Sequence, residues 1–373
     1  MKELQEILKK ISQFAPNEKA ILATVVDVVG SGYRRPGARM LIDSEGKSIG
    51  TVSGGCLEAD VLERAKKVLR TNEPSVITYD TTNDENSVFG LGMGCRGIVR
   101  ILLESIEKES FFIKVLRSIF DNRKKQIAAT LISTDENLPI GGRVFYDESG
   151  KFISKNLPVF LESFSHLRRD CQDFFNENAR ETSRVQTYET ETGTLEFFIE
   201  KINPPLSFLL FGAGYDALPL ADFAKNLGWK LTVIDHRAAF VSEKRFPEAD
   251  EIIVSRPENL CDNLFADENS AAVVMTHNYD RDREILRRLL HSKCRYIGAL
   301  GPKKRAAKLL EEIGETFSKE QLEKLYAPVG LDIGASAPEE IALAIIAEIK
   351  SVMVNRGGGF LRDRQGSIYG QNE

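Results

Sequence analysis

Two cysteines set in glycine-rich runs are the residues best suited to chemistry in this 373-residue sequence. Ser53-Gly54-Gly55-Cys56-Leu57-Glu58 puts one thiol at the expected start of a helix, behind a glycine pair. A helix N-terminus favours thiolate over thiol, and thiolate is the form that attacks or binds metal. The glycine pair offers backbone donors and clears room for a bulky group. Gly92-Met93-Gly94-Cys95-Arg96-Gly97 sets a second thiol among small residues, next to a guanidinium. A cysteine also serves as a small buried hydrophobe, and that role stays open for both. Two such loops in one domain weigh toward function.

A different chemistry begins after Leu206. Ser207–Phe211 is an apolar run leading into Gly212-Ala213-Gly214, with helical spacing from near Tyr215. Strand, glycine turn and helix in that order let backbone N–H groups approach a phosphate at the helix N-terminus. Gly212 and Gly214 are the expected phosphate-turn residues, with Ala217 at the third small position. Asp235 closes the next strand 23 residues beyond Gly212, where a carboxylate bonds a ribose hydroxyl. Arg237 is placed to meet a 2′-phosphate or to offset Asp216, whose charge repels an anion unless turned away. Asp216 and Pro219, early in the helix, are the awkward members of the pattern. His277 follows the fourth expected strand and is a candidate general base or orienting donor, with Asp280 and Asp282 nearby in sequence. A loop histidine capping the next helix is the alternative. Lys303, Lys304, Arg305 and Lys308 suit either an anion or a solvated helix face.

These residues need two kinds of frame. The fold expected is α/β: an N-terminal α+β domain over residues 1–200, a linker at 201–205, and a C-terminal Rossmann-type parallel-sheet domain over 206–355. Residues 356–373 are expected to form a flexible tail. Asn203-Pro204-Pro205 marks the linker, because consecutive prolines deny both helix and central strand. Beyond it, strands are expected at 207–211, 230–234, 251–254, 271–275 and 296–299. Helices are expected at 216–227, 281–291, 303–313 and 338–355. Short apolar strands alternating with amphipathic helices imply a parallel sheet covered on both faces.

In the N-terminal half, helices are expected at 2–14 and 56–69, and strands at 20–29, 39–42, 76–79, 98–103 and 194–199. Residues 155–192 give no clear pattern. An internal echo links 21–26 with 127–132, and Gly37–Asp43 with Gly141–Asp147. It reads as two similar hairpins in one sheet, with ancient duplication and shared turn chemistry both open as causes. The second copy has no Gly-Gly-Cys sequel, so the chemistry falls to the first.

Composition narrows the function classes. A charged fraction of 28% and a hydrophobic fraction of 42% are those of a soluble globular chain, and the length suits two domains. A net charge of −5 argues against nucleic acid or an anionic membrane as the main partner. No apolar run approaches the ~20 residues that span a bilayer, and the start is an amphipathic pattern without a signal core, so a cytoplasmic location is expected. The five cysteines form no CxxC pair and only four histidines accompany them, so neither a disulfide framework nor a zinc site is expected.

With these motifs together the chain resembles the XdhC/CoxI family, the accessory proteins of xanthine dehydrogenase and related molybdenum hydroxylases. The resemblance runs over nearly the whole chain. It is carried by Gly37-Ala38-Arg39, Ser53-Gly54-Gly55-Cys56, Gly90-Leu91-Gly92 with Cys95, Gly212-Ala213-Gly214, Asp235-His236-Arg237, Thr276-His277 and the long stretch from Ala327 through Ile341. It implies a chaperone that binds molybdenum cofactor (molybdopterin), protects it, supports its sulfuration and delivers it to an apo molybdenum hydroxylase. A cysteine desulfurase is an implied further partner, and a homodimer is the expected assembly. Cys56 and Cys95 fill the positions that hold the cofactor, with Cys56 as the thiolate contact to molybdenum, a soft donor for a soft, sulfur-rich centre. Gly54, Gly55 and Arg39 suit the pterin's phosphate. The second loop departs from the family's tighter pattern, with Met93-Gly94 inserted before Cys95.

The rival reading is an NAD(P)-dependent oxidoreductase that uses Gly212, Gly214 and Asp235 for the cofactor and His277 for the proton. It leaves the Gly-Gly-Cys loop without a role. A nucleotide-sensing regulator without catalysis is a third reading. The chain carries no ferredoxin-type cysteine cluster and is short for a flavin-plus-molybdenum enzyme. An accessory role is therefore expected over catalysis, with NAD(P) or another nucleotide as an additional ligand of the Rossmann half.

Overall fold

The computed structural model describes residues 1–80, 97–155, 157, 163–177, 181–191, 193–259 and 267–365. Cys95, with Gly90 to Arg96 around it, lies outside the described residues. The chain divides into one unit of Glu3–Pro204 and another of Pro205–Glu373 with Met1–Lys2.

The first unit is one motif used twice. In chain order it contains α1 (Lys2–Ser12), β1 (Lys19–Gly30), β2 (Arg39–Ile42), β3 (Ser48–Gly50), α2 (Glu58–Thr71), β4 (Ser75–Asp80) and β5 (Gly97–Glu107). Then come α3 (Phe111–Asn122), β6 (Gln126–Thr134), β7 (Arg143–Asp147), β8 (Phe152–Lys155), α4 (Ser163–Asn176), β9 (Ser183–Glu189) and β10 (Thr194–Ile202). The strands form two separate five-stranded antiparallel sheets, ordered β3-β2-β1-β5-β4 and β8-β7-β6-β10-β9. The echo in the sequence is thus a repeat of the same sheet, not two hairpins sharing one. Strand β10 runs on through Lys201 and Ile202, into the segment expected as linker.

Alternation along β1 and β6 explains the layering, because successive side chains point to opposite faces. Ile21, Ala23 and Val25 pack with Val61, Ala65 and Val68 of α2, while Ile127, Ala129 and Leu131 pack with α4. Their neighbours Ala20, Leu22 and Ala128 meet α1 and α3 in a shared cluster, and Val26 and Ile132 complete a small cluster with Leu102 and Phe198. Strands buried on both faces read as continuous apolar runs.

Two buried ion pairs cross between the sheets and are reciprocal. Arg39 on β2 bonds Glu200 on β10, and Arg143 on β7 donates from Nη1 to Glu104 on β5 at 2.6 Å. Glu104 lies opposite Leu22 and Glu200 opposite Ala128, the same position in each copy of the repeat. The Phe112 ring of α3 serves both guanidiniums, at 5.4 Å from Arg39 and 4.0 Å from Arg143. The copies differ in one bond. Arg143 Nε donates to Thr130 Oγ1 at 3.1 Å, whereas Arg39 Nε and Thr24 Oγ1 are buried with no hydrogen-bond partner among the described residues.

The second unit holds β11 (Ser207–Phe211), α5 (Ala217–Asn226), β12 (Lys230–Asp235), β13 (Glu251–Val254), β14 (Ser270–Val274), α6 (Tyr279–His291) and β15 (Tyr296–Ala299), followed by α7 (Lys303–Ile313), α8 (Lys319–Glu323), β16 (Leu325–Tyr326) and α9 (Pro338–Met353). Its sheet is parallel, ordered β13-β12-β11-β14-β15-β16. Helices α5 and α9 cover one face, and α6 and α7 cover the other. This is the doubly wound Rossmann arrangement, whose order reverses between β11 and β14 and opens a crevice at the carboxyl ends of the strands.

The buried pairs set a stability test. Glu104→Leu alone strands the Arg143 guanidinium and should cost about 3–5 kcal/mol in urea unfolding. Adding Arg143→Met should recover most of that loss, since a well-packed apolar pair replaces a buried ion pair at little cost. Additive losses in the double variant would show that the two residues are not coupled.

Candidate functional site

The turn after β3 is held by five hydrogen bonds among Val52, Ser53, Gly55, Leu57 and Glu58. Val52, Ser53 and Leu57 are buried and anchor it, while Gly54, Gly55 and Cys56 are exposed. Ser53 Oγ accepts the N–H groups of Gly55 at 3.2 Å and Leu57 at 3.1 Å, and donates to the Glu58 carboxylate. Glu58 Oε1 in turn accepts Ser53 N–H at 2.8 Å and Val52 N–H at 3.3 Å. Partial burial raises the Glu58 pKa, but the bonds from Ser53 and the backbone outweigh it and hold the carboxyl below its usual range. Gly55 has φ +110°, which other residues rarely adopt, and a Cβ on Gly54 would lie 3.2 Å from the Tyr33 ring. Gly55 is therefore required by this shape, and a side chain at Gly54 would have to displace the exposed Tyr33 ring by a few tenths of an ångström.

Cys56 does not sit in the helix. Helix α2 starts at Glu58 with Leu57 as its N-cap, so the thiol precedes the cap and is oriented by the Ser53–Glu58 brace. Its Sγ lies 3.6 Å from Ser53 Oγ and is open to solvent. Cys171 and Cys294 are buried, and burial pushes the Cys171 thiol up to about 12 and raises that of Cys294. Those two are inert packing residues.

Arg39 is not part of this turn. Its side chain is 6% exposed and held by Glu200 and the Gly37 carbonyl. The guanidinium expected at a pterin phosphate is a sheet-to-sheet ion pair, because a buried charge needs a fixed counter-charge.

In the second unit the glycine turn forms as expected. Gly212 has φ +113°, and a Cβ there would lie 2.3 Å from the Met275 carbonyl oxygen, so the backbone just past β14 excludes any other residue. The surrounding carboxylates are arranged differently from a ribose site. Asp235, 1% exposed in its side chain, accepts Ala213 N–H at 2.9 Å and three bonds from Arg237 at 2.7–3.0 Å. Burial alone would raise its pKa; the Arg237 and Ala213 bonds overcome that and lower it to about 2. Asp235 and Arg237 do come together, but on each other. Asp216 Oδ2 meets His277 Nε2 at 2.7 Å, and Asp216 Oδ1 would stand 2.4 Å from a Cβ on Gly214. His277, in the left-handed region at φ +57°, is thus paired with Asp216 and not with its sequence neighbours. Asp282 instead binds Thr276 Oγ1 at 2.5 Å and Arg305 at 2.6 Å.

Sequence reasoning missed two cations here. Arg245 donates to the Ala213 carbonyl at 2.7 Å and to that of Gly214 at 3.3 Å, tying down the back of the turn. Arg281, in the first turn of α6, lines a cleft at the sheet's carboxyl edge. Only the position of Arg281 just past a strand end could have flagged it. No pattern marks Arg245, which is 32 residues from Ala213 in sequence.

An exposed thiol on a braced glycine turn, in a chain that also carries a Rossmann unit, defines a class of ligand-holding α/β protein. Comparison with known proteins makes this specific. Residues 208–349 match the model of the XdhC Rossmann domain, and residues 14–80 match that of the XdhC and CoxI family. The chain is 35% identical over 334 residues to a Bacillus subtilis protein named as a probable subunit of xanthine dehydrogenase, covering 89% of this chain and 92% of that one. It is 22% identical over 339 residues to the Escherichia coli molybdenum cofactor insertion chaperone PaoD, covering 90% and 84%. A crystal structure described as a xanthine dehydrogenase from Bacillus halodurans aligns with a TM-score of 0.76 at 29% identity, over 95% of this chain and 97% of that one. The chain belongs to the XdhC and CoxI family. No helix among the described residues is long and apolar enough to cross a membrane.

The Asp235 knot gives a pH test. Its folded pKa is depressed, so its contribution is present above the ordinary aspartate value of about 3.9 and fades as pH falls toward 2. Asp235→Asn should destabilise by about 2 kcal/mol at pH 7, with the gap narrowing between about pH 5 and pH 3 in urea titrations. A gap that stays constant with pH would show that the carboxylate's charge is not what matters.

Proposed function

We propose that this protein carries molybdenum cofactor as cargo, supports its sulfuration and delivers it to an apo molybdenum hydroxylase of the xanthine dehydrogenase type. The observation that carries the reading is Cys56: an exposed thiol held on a rigid turn by the Ser53–Glu58 brace. Membership of a family that includes a named cofactor insertion chaperone and a protein named for xanthine dehydrogenase supports it. Thiolate is a soft ligand suited to a sulfur-rich molybdenum centre. The glycines beside it leave room for a bulky cargo, and Gly54 and Gly55 offer backbone donors at the same spot. A cysteine desulfurase as sulfur source, a homodimeric assembly and a role for Cys95 in the same hold belong to this reading.

Hydride transfer with NAD(P) is the weaker reading. Asp216 lies over Gly214, where a pyrophosphate would sit, and Asp235 has its oxygens filled by Ala213 and Arg237. His277 has a carboxylate partner of its own.

The test is pterin retention. Protein purified from cells that make molybdenum cofactor should release a fluorescent oxidised pterin, and Cys56→Ala should retain at least tenfold less, on the order of 1.4 kcal/mol of binding. Cys171→Ala and Cys294→Ala should retain as much as the unaltered protein. Equal retention in Cys56→Ala, or none in the unaltered protein, removes the thiol from the hold.

A further inference from the structure

A thiol grips the metal end of a metal–pterin cargo, and backbone N–H groups meet the edge of its ring system. The flat face of the ring needs a contact of another kind. Arg39 cannot supply it, being sealed between the sheets against Glu200. The loop joining β1 to β2 brings a different side chain to the cysteine turn.

Tyr33, in that loop, lies directly on Gly54. A Cβ built on Gly54 would stand 3.2 Å from the Tyr33 ring Cγ, and 3.3 and 3.5 Å from Cδ2 and Cδ1. Such nearly equal distances put the Gly54 backbone under the face of the ring and not at its rim. Tyr33 is nonetheless 68% exposed, so the opposite face is open to solvent. Gly54 and Cys56 are two residues apart, which keeps the seat of the ring within about 7 Å of the thiol-bearing residue along the backbone.

The loop that carries Tyr33 is tied down on both sides. Its foot is closed by Gly37 N–H donating to the Val25 carbonyl at 2.8 Å. Gly32 packs so tightly on β1 that a Cβ there would lie 2.6 Å from Val28 Cγ1. A Cβ on Gly97, at the start of β5, would lie 2.6 Å from the Ser31 carbonyl oxygen. Arg34, next to Tyr33, bonds the Glu3 carboxylate of α1. The ring is thus held in water by its neighbours, although an aromatic face gains from burial. Tyr215 and Phe360 are the other strongly exposed aromatics among the described residues, and each sits against an arginine, at 5.2 and 4.9 Å. Tyr33 is the one that lies on the cysteine turn.

We propose that Tyr33 is the stacking platform for the pterin ring of the cargo, so that the turn holds its ligand at two points, molybdenum on Cys56 and ring on Tyr33. This rests on the cargo reading and names the residue that recognises the organic half of the ligand. A stiff ring is suited to the task, because stacking on a planar heterocycle then costs little order.

Pterin retention by the full-length protein, purified from cells that make molybdenum cofactor and read by fluorescence after oxidation, tests the assignment. Tyr33→Ala should retain less pterin by about fivefold or more, with an unchanged melting temperature because the side chain is exposed. Tyr33→Phe and Tyr33→Trp should retain as much as the unaltered protein, since each keeps a flat ring. Tyr33→Leu, apolar but not flat, should lose as much as Tyr33→Ala. Full retention in Tyr33→Ala or Tyr33→Leu, while Cys56→Ala still loses its pterin, overturns the platform and leaves the cargo reading standing. Loss in Tyr33→Phe assigns the effect to the hydroxyl and also overturns stacking. Full retention in Tyr33→Ala with failed activation of an apo-hydroxylase would make Tyr33 a protein contact instead. Absence of pterin from the unaltered protein sinks both readings together.

Discussion

Two arginines and two glutamates sealed between sheets are the constraint on which the first unit depends. Removing charges from water is expensive, and only a fixed partner of opposite sign makes burial tolerable. Here each sheet supplies the partner for the other's arginine, Arg39 to Glu200 and Arg143 to Glu104. Neither sheet can bury its charge alone, so the two copies of the repeat are obliged to pack as one body. A third pair repeats the logic at the margin, Arg100 on β5 reaching Glu196 on β10 at 2.6 Å. The Gly-x-Arg motif before the cysteine turn is therefore architecture. Its second occurrence at Gly141-Gly142-Arg143, with no cysteine after it, has the same partner chemistry.

The same rule shapes the Rossmann unit. A glycine turn at a helix start offers N–H groups to whatever anion reaches them first, and here one of the chain's own carboxylates takes one of them. Asp235 takes Ala213 N–H, and Asp216 lies across Gly214 with His277 as its partner. The fold is that of dinucleotide-binding proteins, yet one N–H of its phosphate turn is taken by Asp235 and the Asp216 carboxylate stands beside Gly214. Fold and function separate at the level of individual hydrogen bonds.

Much of this was legible in the sequence where the signal is local. The strand–glycine–helix order at Ser207–Gly214 and the alternation after it follow from periodicity and from backbone demands at Gly212, and the strands at 207–211, 251–254 and 296–299 match residue for residue. What was not legible is non-local. Whether two echoing hairpins share a sheet depends on which strand lies beside β1 and β6, and β5 and β10 are tens of residues away. Helix α4 was hidden because its buried Phe164, Leu167, Cys171 and Phe174 are diluted by charged residues on the outer face. Asp216 and His277 are 61 residues apart, Arg39 and Glu200 161. The misplacement of Cys56 is of another kind: helical spacing runs through Leu57 and Val61, but Gly55 at φ +110° is not helical, so the helix begins only beyond it.

That last detail changes what the cysteine turn can do. A thiol in the first turn of a helix is aimed by the helix axis and shares its dipole. A thiol ahead of the cap is aimed by whatever holds the turn, here one serine and one glutamate bonded to each other and to four backbone N–H groups. The glutamate stays ionised because those bonds favour its charged form, so the brace keeps its acceptors at neutral pH. Stiffness of the turn and exposure of the thiol are then separate properties, the first set by Ser53 and Glu58, the second by Gly54 and Gly55. A side chain that must grip a large ligand and later release it needs that combination: a fixed position, so that little order is lost on binding, and an open approach, so that another protein can reach what it holds.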